Sequence, residues 1–146
     1  MTRTQKWLHD VVVPHRDRVL FLITVNDEVV GHIGLCHVTE KKVELDNAII
    51  ASSVTGLFQK AEYTLLDFVF TVLEIDIVFA RAFSHNKVHV LHRYFGFESQ
   101  VNSFLKKMER PNGDIIFEEC SEIETNVNFQ CVTIELMKEK FIHKFK

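Results

Sequence analysis

The chain is short of cysteine: its 146 residues hold three, Cys36, Cys120 and Cys131, an odd number with no C-x-x-C pair. Such usage excludes a disulfide framework and favours free buried thiols in a reducing compartment. A basic surplus is also missing. The formal net charge is −3, whereas a nucleic-acid-binding module needs excess Lys and Arg to neutralise phosphates. The lysines near the C-terminus (Lys138, Lys140, Lys144, Lys146) read as a solvated helix face. No apolar run approaches the ~20 residues that cross a bilayer, and MTRTQKWLHD lacks the apolar core of a signal peptide. The expectation is a cytoplasmic protein with no nucleic-acid and no membrane partner. There is no linker, internal repeat or low-complexity segment, so residues 1–146 read as one domain.

What is present is a globular composition, 47% apolar and 25% charged, with thirteen Phe for a bulky core. A chain of this length buries roughly two-thirds of its unfolded surface. Thr4 to Val13 reads as a short helix with Trp7, Leu8 and Val11 on one side, stopped by Pro14. VLFLITV reads as a buried strand. Asn26-Asp27 then turns the chain tightly, and VVGHIGLCHV returns as the second arm of a hairpin. Val43 to Ile50 is a third strand, with Glu44 and Asp46 on one face and Val43, Leu45 and Ile49 on the other.

A loop of small residues, Ala51 to Thr55, leads through Gly56 into a long helix. Lys60, Tyr63, Asp67, Thr71 and Glu74 form its one polar stripe. Ile75 to Phe83 is a fourth strand, and Ser84 or Asn86 suits the N-cap of a short helix. That helix sets Val88, Leu91, His92 and Phe95 on one face and ends at Gly96 in a left-handed C-cap. Pro111-Asn112-Gly113-Asp114 turns a later hairpin, and a last strand, Phe129 to Leu136, precedes a C-terminal helix. The fold class is therefore α/β, a central mixed sheet with helices on both faces. A strand entering a helix through a glycine-bearing turn also gathers backbone N–H groups and a positive helix end, which suits a phosphate-containing ligand.

The order of these elements resembles the GNAT acetyltransferase superfamily, closest to its RimJ/RimL-like branch, over roughly residues 20 to 137. Val30-Gly31-His32-Ile33-Gly34-Leu35 is similar to the family's glycine-bearing hairpin strand. Val43-Glu44-Leu45-Asp46-Asn47 is similar to the strand that leads into its pyrophosphate loop. Gly56-Leu57-Phe58-Gln59-Lys60-Ala61 stands at the loop and helix start, and Asn86 with Gly96-Phe97 matches the segment ending the cofactor half.

The resemblance implies a GNAT-like acyl-CoA N-acyltransferase fold, truncated at its N-terminus. Two parallel strands splay to hold the acyl-CoA arm, with the pyrophosphate on the helix start. It implies acetyl-CoA as co-substrate, bound by Ala48, Ile49, Ile50, Val54, Thr55, Gly56, Leu57, Phe58 and Asn86. The implied activity is acetyl transfer to a primary amine, with a nucleotide-linked amino sugar as leading acceptor and a protein N-terminus as the alternative. A non-catalytic acyl-CoA-binding or partner-docking domain is the reading from a different class. A homodimer is also open as an assembly of the chain. The sequence departs from the family in carrying only Gly56 in the loop and no basic residue between Ile50 and Phe58.

Acetyl transfer needs a base for the amine and an acid for the leaving thiolate. Glu44 or Asp46 could be the base, against the plainer reading of two exposed carboxylates. His92 occupies the slot for the acid, counted back from Gly96-Phe97, with Tyr94 as rival. A hydrogen-bonded core histidine is the plainer reading of His92. His85, His89 and His92 lack a carboxylate or Cys to complete a tetrahedral set, so no metal is expected.

Overall fold

The computed structural model describes residues 2, 5–6, 8–51 and 56–146. The helix expected over Thr4 to Val13 is realised as a π-helical turn, Leu8–Val12, closed by Val13 N–H donating to Leu8 O at 3.0 Å. Consecutive β-branched valines disfavour a regular helix, and Pro14 cannot continue one. Thr4, Trp7 and the Val11 side chain lie outside the described residues.

The strands are β1 (Val19–Val25), β2 (Glu28–Cys36), β3 (Lys42–Ile50), β4 (Ile77–Phe83), β5 (Glu98–Glu109), β6 (Ile115–Cys120) and β7 (Gln130–Met137). The helices are α1 (Leu57–Thr71), α2 (Val88–His92) and α3 (Lys138–Phe145). Strand order in the mixed seven-stranded sheet is β1-β2-β3-β4-β7-β5-β6. The chain divides into two compact units, Met1–Phe79 with Met137–Lys146, and Ala80–Leu136.

In the first unit β1 and β2 are antiparallel, joined at Asn26 (φ 50°) and Asp27 (φ 66°). Two successive left-handed residues make the turn whose twist suits a hairpin, as Asn-Asp predicts. The expectation that β1 is buried fails. None of its residues is fully buried, and Leu22 is 62% exposed. β1 ends the strand order, so it has one neighbour and one open side. α1 buries Leu65, Leu66, Val69 and Phe70, and also Glu62, which is fully inaccessible. α3 packs Phe141 on Tyr63 and Phe70 (ring centroids 5.6 and 5.2 Å). Asp67 of the expected polar stripe is paired with Lys146 at 2.7 Å. Glu74 lies past the helix end at φ 56°.

In the second unit β5 pairs antiparallel with β6 and with β7. Phe83, Phe117 and Phe129 meet at 5.0–5.5 Å between ring centroids. α2 continues into a 3₁₀ turn, Arg93–Phe95, and Gly96 ends it at φ 101° as expected.

Candidate functional site

β3 carries the first feature of chemical interest. Gly34 faces Asp46 and His32 faces Ile49, so Ile33 alone stands opposite Asn47 and Ala48. Two residues against one is a β-bulge, and Asn47 takes the left-handed φ of 48°. The extra residue leaves the ladder and re-aims the strand. It also reverses the alternation: Ile49, expected on the buried face with Val43 and Leu45, is 59% exposed. Pairing resumes at once, since Ile50 faces Gly31 and Ala51 N–H donates to Val30 O at 2.8 Å.

The two glycines of β2 flank this bulge for a steric reason. A Cβ on Gly31 would collide with the Ile49 carbonyl oxygen and sit 2.9 Å from Ile50 Cα. A Cβ on Gly34 would lie 3.0 Å from the Asp46 oxygen. The glycine spacing in the sequence is the imprint of the bulge on its neighbour strand.

The paired carboxylates are not the exposed pair of the plainer reading. Glu44 is buried at 6% accessibility, with its Oε2 2.6 Å from His37 Nδ1 and 3.7 Å from Cys36 Sγ. Asp46 is half-buried, ion-paired with Arg18, and accepts from Asn47 Nδ2 at 2.6 Å. Burial, then the charges of Asp46 and Glu44, push the Cys36 thiol up to about 12, with Arg18 opposing. The sequence reading missed Arg18, Cys36 and His37 here. No signal in the sequence marked them, because only the β2–β3 register sets Cys36 opposite Glu44.

Gly56 begins α1 at φ 76°, ψ −3°, with no side-chain cap and no acidic residue in the first turn. The helix start therefore keeps its partial positive charge. A Cβ on Gly56 would meet nothing within 4 Å. Leu57 lines an apolar cavity of about 450 Å³ with Phe21, Ile33, Ala61 and Phe68. Phe58 is half-buried. Ser52, Ser53, Val54 and Thr55 lie outside the described residues.

In the second unit Asn86 Oδ1 accepts the Val88 N–H at 3.0 Å, so its side chain serves the start of α2. The competing cap, Ser84, instead accepts from Gln130 N–H at 3.1 Å. His92 is 4% accessible, its ring 5.5 Å from Phe97. Tyr94, two positions on, is 58% exposed.

Likeness to solved structures decides the fold. A probable GNAT-family acetyltransferase from Chromobacterium violaceum superposes with a TM-score of 0.72 at 16% identity, over 94% of this chain and 67% of that one. The chain has the GNAT acetyltransferase fold. The spermidine/spermine N-acetyltransferase SpeG from Vibrio cholerae matches with a TM-score of 0.69 at 13% identity, covering 98% and 78% of the two chains. The N-acetyltransferase PseH from Campylobacter jejuni, solved with acetyl coenzyme A, matches at 0.59 and 16% identity, covering 92% and 75%. No protein-family model matches the sequence, and no curated protein matches it significantly. Within the GNAT fold, the RimJ/RimL-like branch is not singled out.

Proposed function

We propose that this chain is an acetyl-CoA-dependent N-acetyltransferase acting on a primary amine. The observation that carries the reading is the GNAT fold with β3 bulged at Asn47–Ala48, eight residues before a glycine-capped helix start at Gly56. A bulge frees backbone polar groups to polarise a thioester carbonyl. A helix start without a side-chain cap suits the pyrophosphate, whose approach a side chain on the loop glycine would hinder. The solved neighbour that contains acetyl coenzyme A supports the co-substrate.

In the reaction the amine nitrogen attacks the thioester carbon, the C–S bond breaks, and the sulfur takes a proton. Glu44 is the better base of the two carboxylates, because Asp46 is already engaged by the Arg18 guanidinium and by Asn47. Its partner His37 is half-exposed and gives the proton a path to solvent. Of the two candidates for the acid we favour Tyr94, because it is exposed whereas His92 is buried in the packing of its own unit. Ala48, Ile49, Ile50, Leu57, Phe58 and Asn86 keep their assignment to the cofactor arm, with Asn86 also serving as a helix cap. Val54 and Thr55 are assigned to it from the resemblance alone. The acceptor is a small amine, with a nucleotide-linked amino sugar leading and a protein N-terminus second.

The loop's lack of a basic residue favours one rival, a non-catalytic acyl-CoA-binding domain. A thermal-shift titration with CoA separates the outcomes, because a ligand that binds only the folded state raises Tm. A shift with turnover on an amine panel supports the enzyme. A shift without turnover supports the binding domain, and no shift at millimolar CoA sinks both.

A further inference from the structure

Among the described residues, one group of three metal-ligating side chains converges, at the turn between β2 and β3: Cys36, His37 and Glu44. Their ligand atoms all lie within 4.8 Å of one another. Cys36 Sγ is 3.6 Å from His37 Nδ1 and 3.7 Å from Glu44 Oε2. Zinc at its usual bond lengths, about 2.3 Å to sulfur and about 2.0–2.2 Å to nitrogen and oxygen, spaces tetrahedral ligands about 3.6 Å apart for S–N and S–O pairs. Both sulfur distances already have that value. The third, His37 Nδ1 to Glu44 Oε2, is 2.6 Å and has the length of a hydrogen bond. It needs to open by roughly 0.8 Å to reach the N–O spacing of the same geometry.

The geometry points to a binding site for a borderline-soft divalent cation of the zinc class, held by Cys36 Sγ, His37 Nδ1 and Glu44 Oε2. Thiolate, imidazole and carboxylate together match that class better than magnesium or calcium, which take oxygen ligands.

The backbone fixes all three ligands. Cys36 and Glu44 face each other across the β2–β3 ladder, and His37 leaves β2 at φ 50°, a left-handed residue beside Cys36. Glu44 and Cys36 are buried while the His37 side chain is 55% exposed. The metal therefore has access from solvent, and its fourth position is left for water. Glu44 and Asp46 outweigh Arg18 in local charge, which attracts a cation. On binding, the thiol proton leaves to solvent as the sulfur–metal bond forms. The proton between His37 and Glu44 likewise moves to the far ring nitrogen or to solvent, freeing both atoms. A bound ion takes the carboxylate assigned as base, but the metal site itself stands independently of acetyl transfer.

The test is titration of the reduced, chelator-stripped chain with zinc by calorimetry and with cobalt(II) as an optical probe. The expected result is one equivalent per chain, with a thiolate-to-cobalt charge-transfer band. Cys36→Ser should abolish the band and weaken zinc binding at least ~100-fold, beyond the 10–100-fold that loss of a mere supporting partner causes. His37→Gly, in which glycine adopts the left-handed backbone without strain, should weaken binding as strongly and keep the fold should Cys36→Ser fail to. Absence of the band in the wild-type protein overturns the site. Wild-type zinc affinity in His37→Gly, or an intact band in folded Cys36→Ser, overturns it equally. None of these readouts involves CoA or turnover.

Discussion

Arg18, just ahead of β1, is ion-paired with Asp46 of β3, 28 residues further along the chain and beside the bulge at Asn47. Their side chains keep 18% and 25% of their accessibility, so solvent only partly screens the pair. Removing one partner leaves a half-buried charge without its counterpart. Arg18→Ala should therefore cost on the order of 1–3 kcal/mol, read from urea melts. The double variant Arg18→Ala/Asp46→Ala should recover part of that loss. Strictly additive losses would show that the pair contributes nothing to stability.

Gly31→Ala should be the most damaging single-methyl change in the first unit. The added Cβ meets the backbone of β3, not a flexible side-chain end. A loss of about 1–3 kcal/mol, the usual cost of overpacking, is expected in chemical denaturation. Gly34→Ala, with more room, should cost less. Equal losses would mean that the bulge does not press on β2.

Gly56→Val separates backbone strain from ligand approach. Its left-handed φ makes a non-glycine residue cost about 1–2 kcal/mol, although no atom lies near enough to clash. Gly56→Asn, which tolerates that conformation, should recover most of the stability. Both variants should bind CoA more weakly than the wild type, because each places a side chain where phosphates approach. Undiminished CoA affinity in a folded Gly56→Val protein would assign the glycine to the turn alone.

Tyr94→Phe and His92→Phe should fail in different ways. Tyr94 is exposed, so Tyr94→Phe should leave Tm unchanged and lower turnover by roughly 10²–10⁴-fold, the range for a lost general acid. His92 is packed beside Phe97. His92→Phe should shift Tm and leave turnover per folded molecule near the wild-type value. The reverse pattern would return the acid role to His92.

In the metal-free protein Cys36 should resist alkylation. Its thiol is pushed up to about 12 from 9.0, so at pH 8 its thiolate fraction is on the order of 10⁻⁴. Iodoacetamide should label Cys120 and Cys131 first, as peptide mass mapping can show. A folded-state pKa above the unfolded value favours the protonated thiol. That contribution to stability is fully present below pH 9 and is lost as pH rises from about 9 to about 12. Rapid labelling of Cys36 at pH 8 would contradict the raised value.

The sequence by itself determined the elements whose causes are local. Asn26-Asp27 sets a two-residue hairpin turn because short polar residues accept positive φ, and Gly96 ends its helix for the same reason. The apolar face of α1 and the strand runs follow from side-chain period, and the order of elements was enough to suggest the GNAT fold. The tertiary structure alone decided what depends on distant neighbours. A bulge at Asn47 shifts register by one residue, and with a period of two that exposes Ile49. Position in the sheet left β1 open on one side although all of its residues except Thr24 are apolar. Burial of Glu44 and Glu62 is equally invisible in a pattern of charges, because it depends on what the other strands and helices bring to that point. Cys36, His37 and Glu44 stand seven and eight residues apart across a turn, and only the β2–β3 register makes them neighbours.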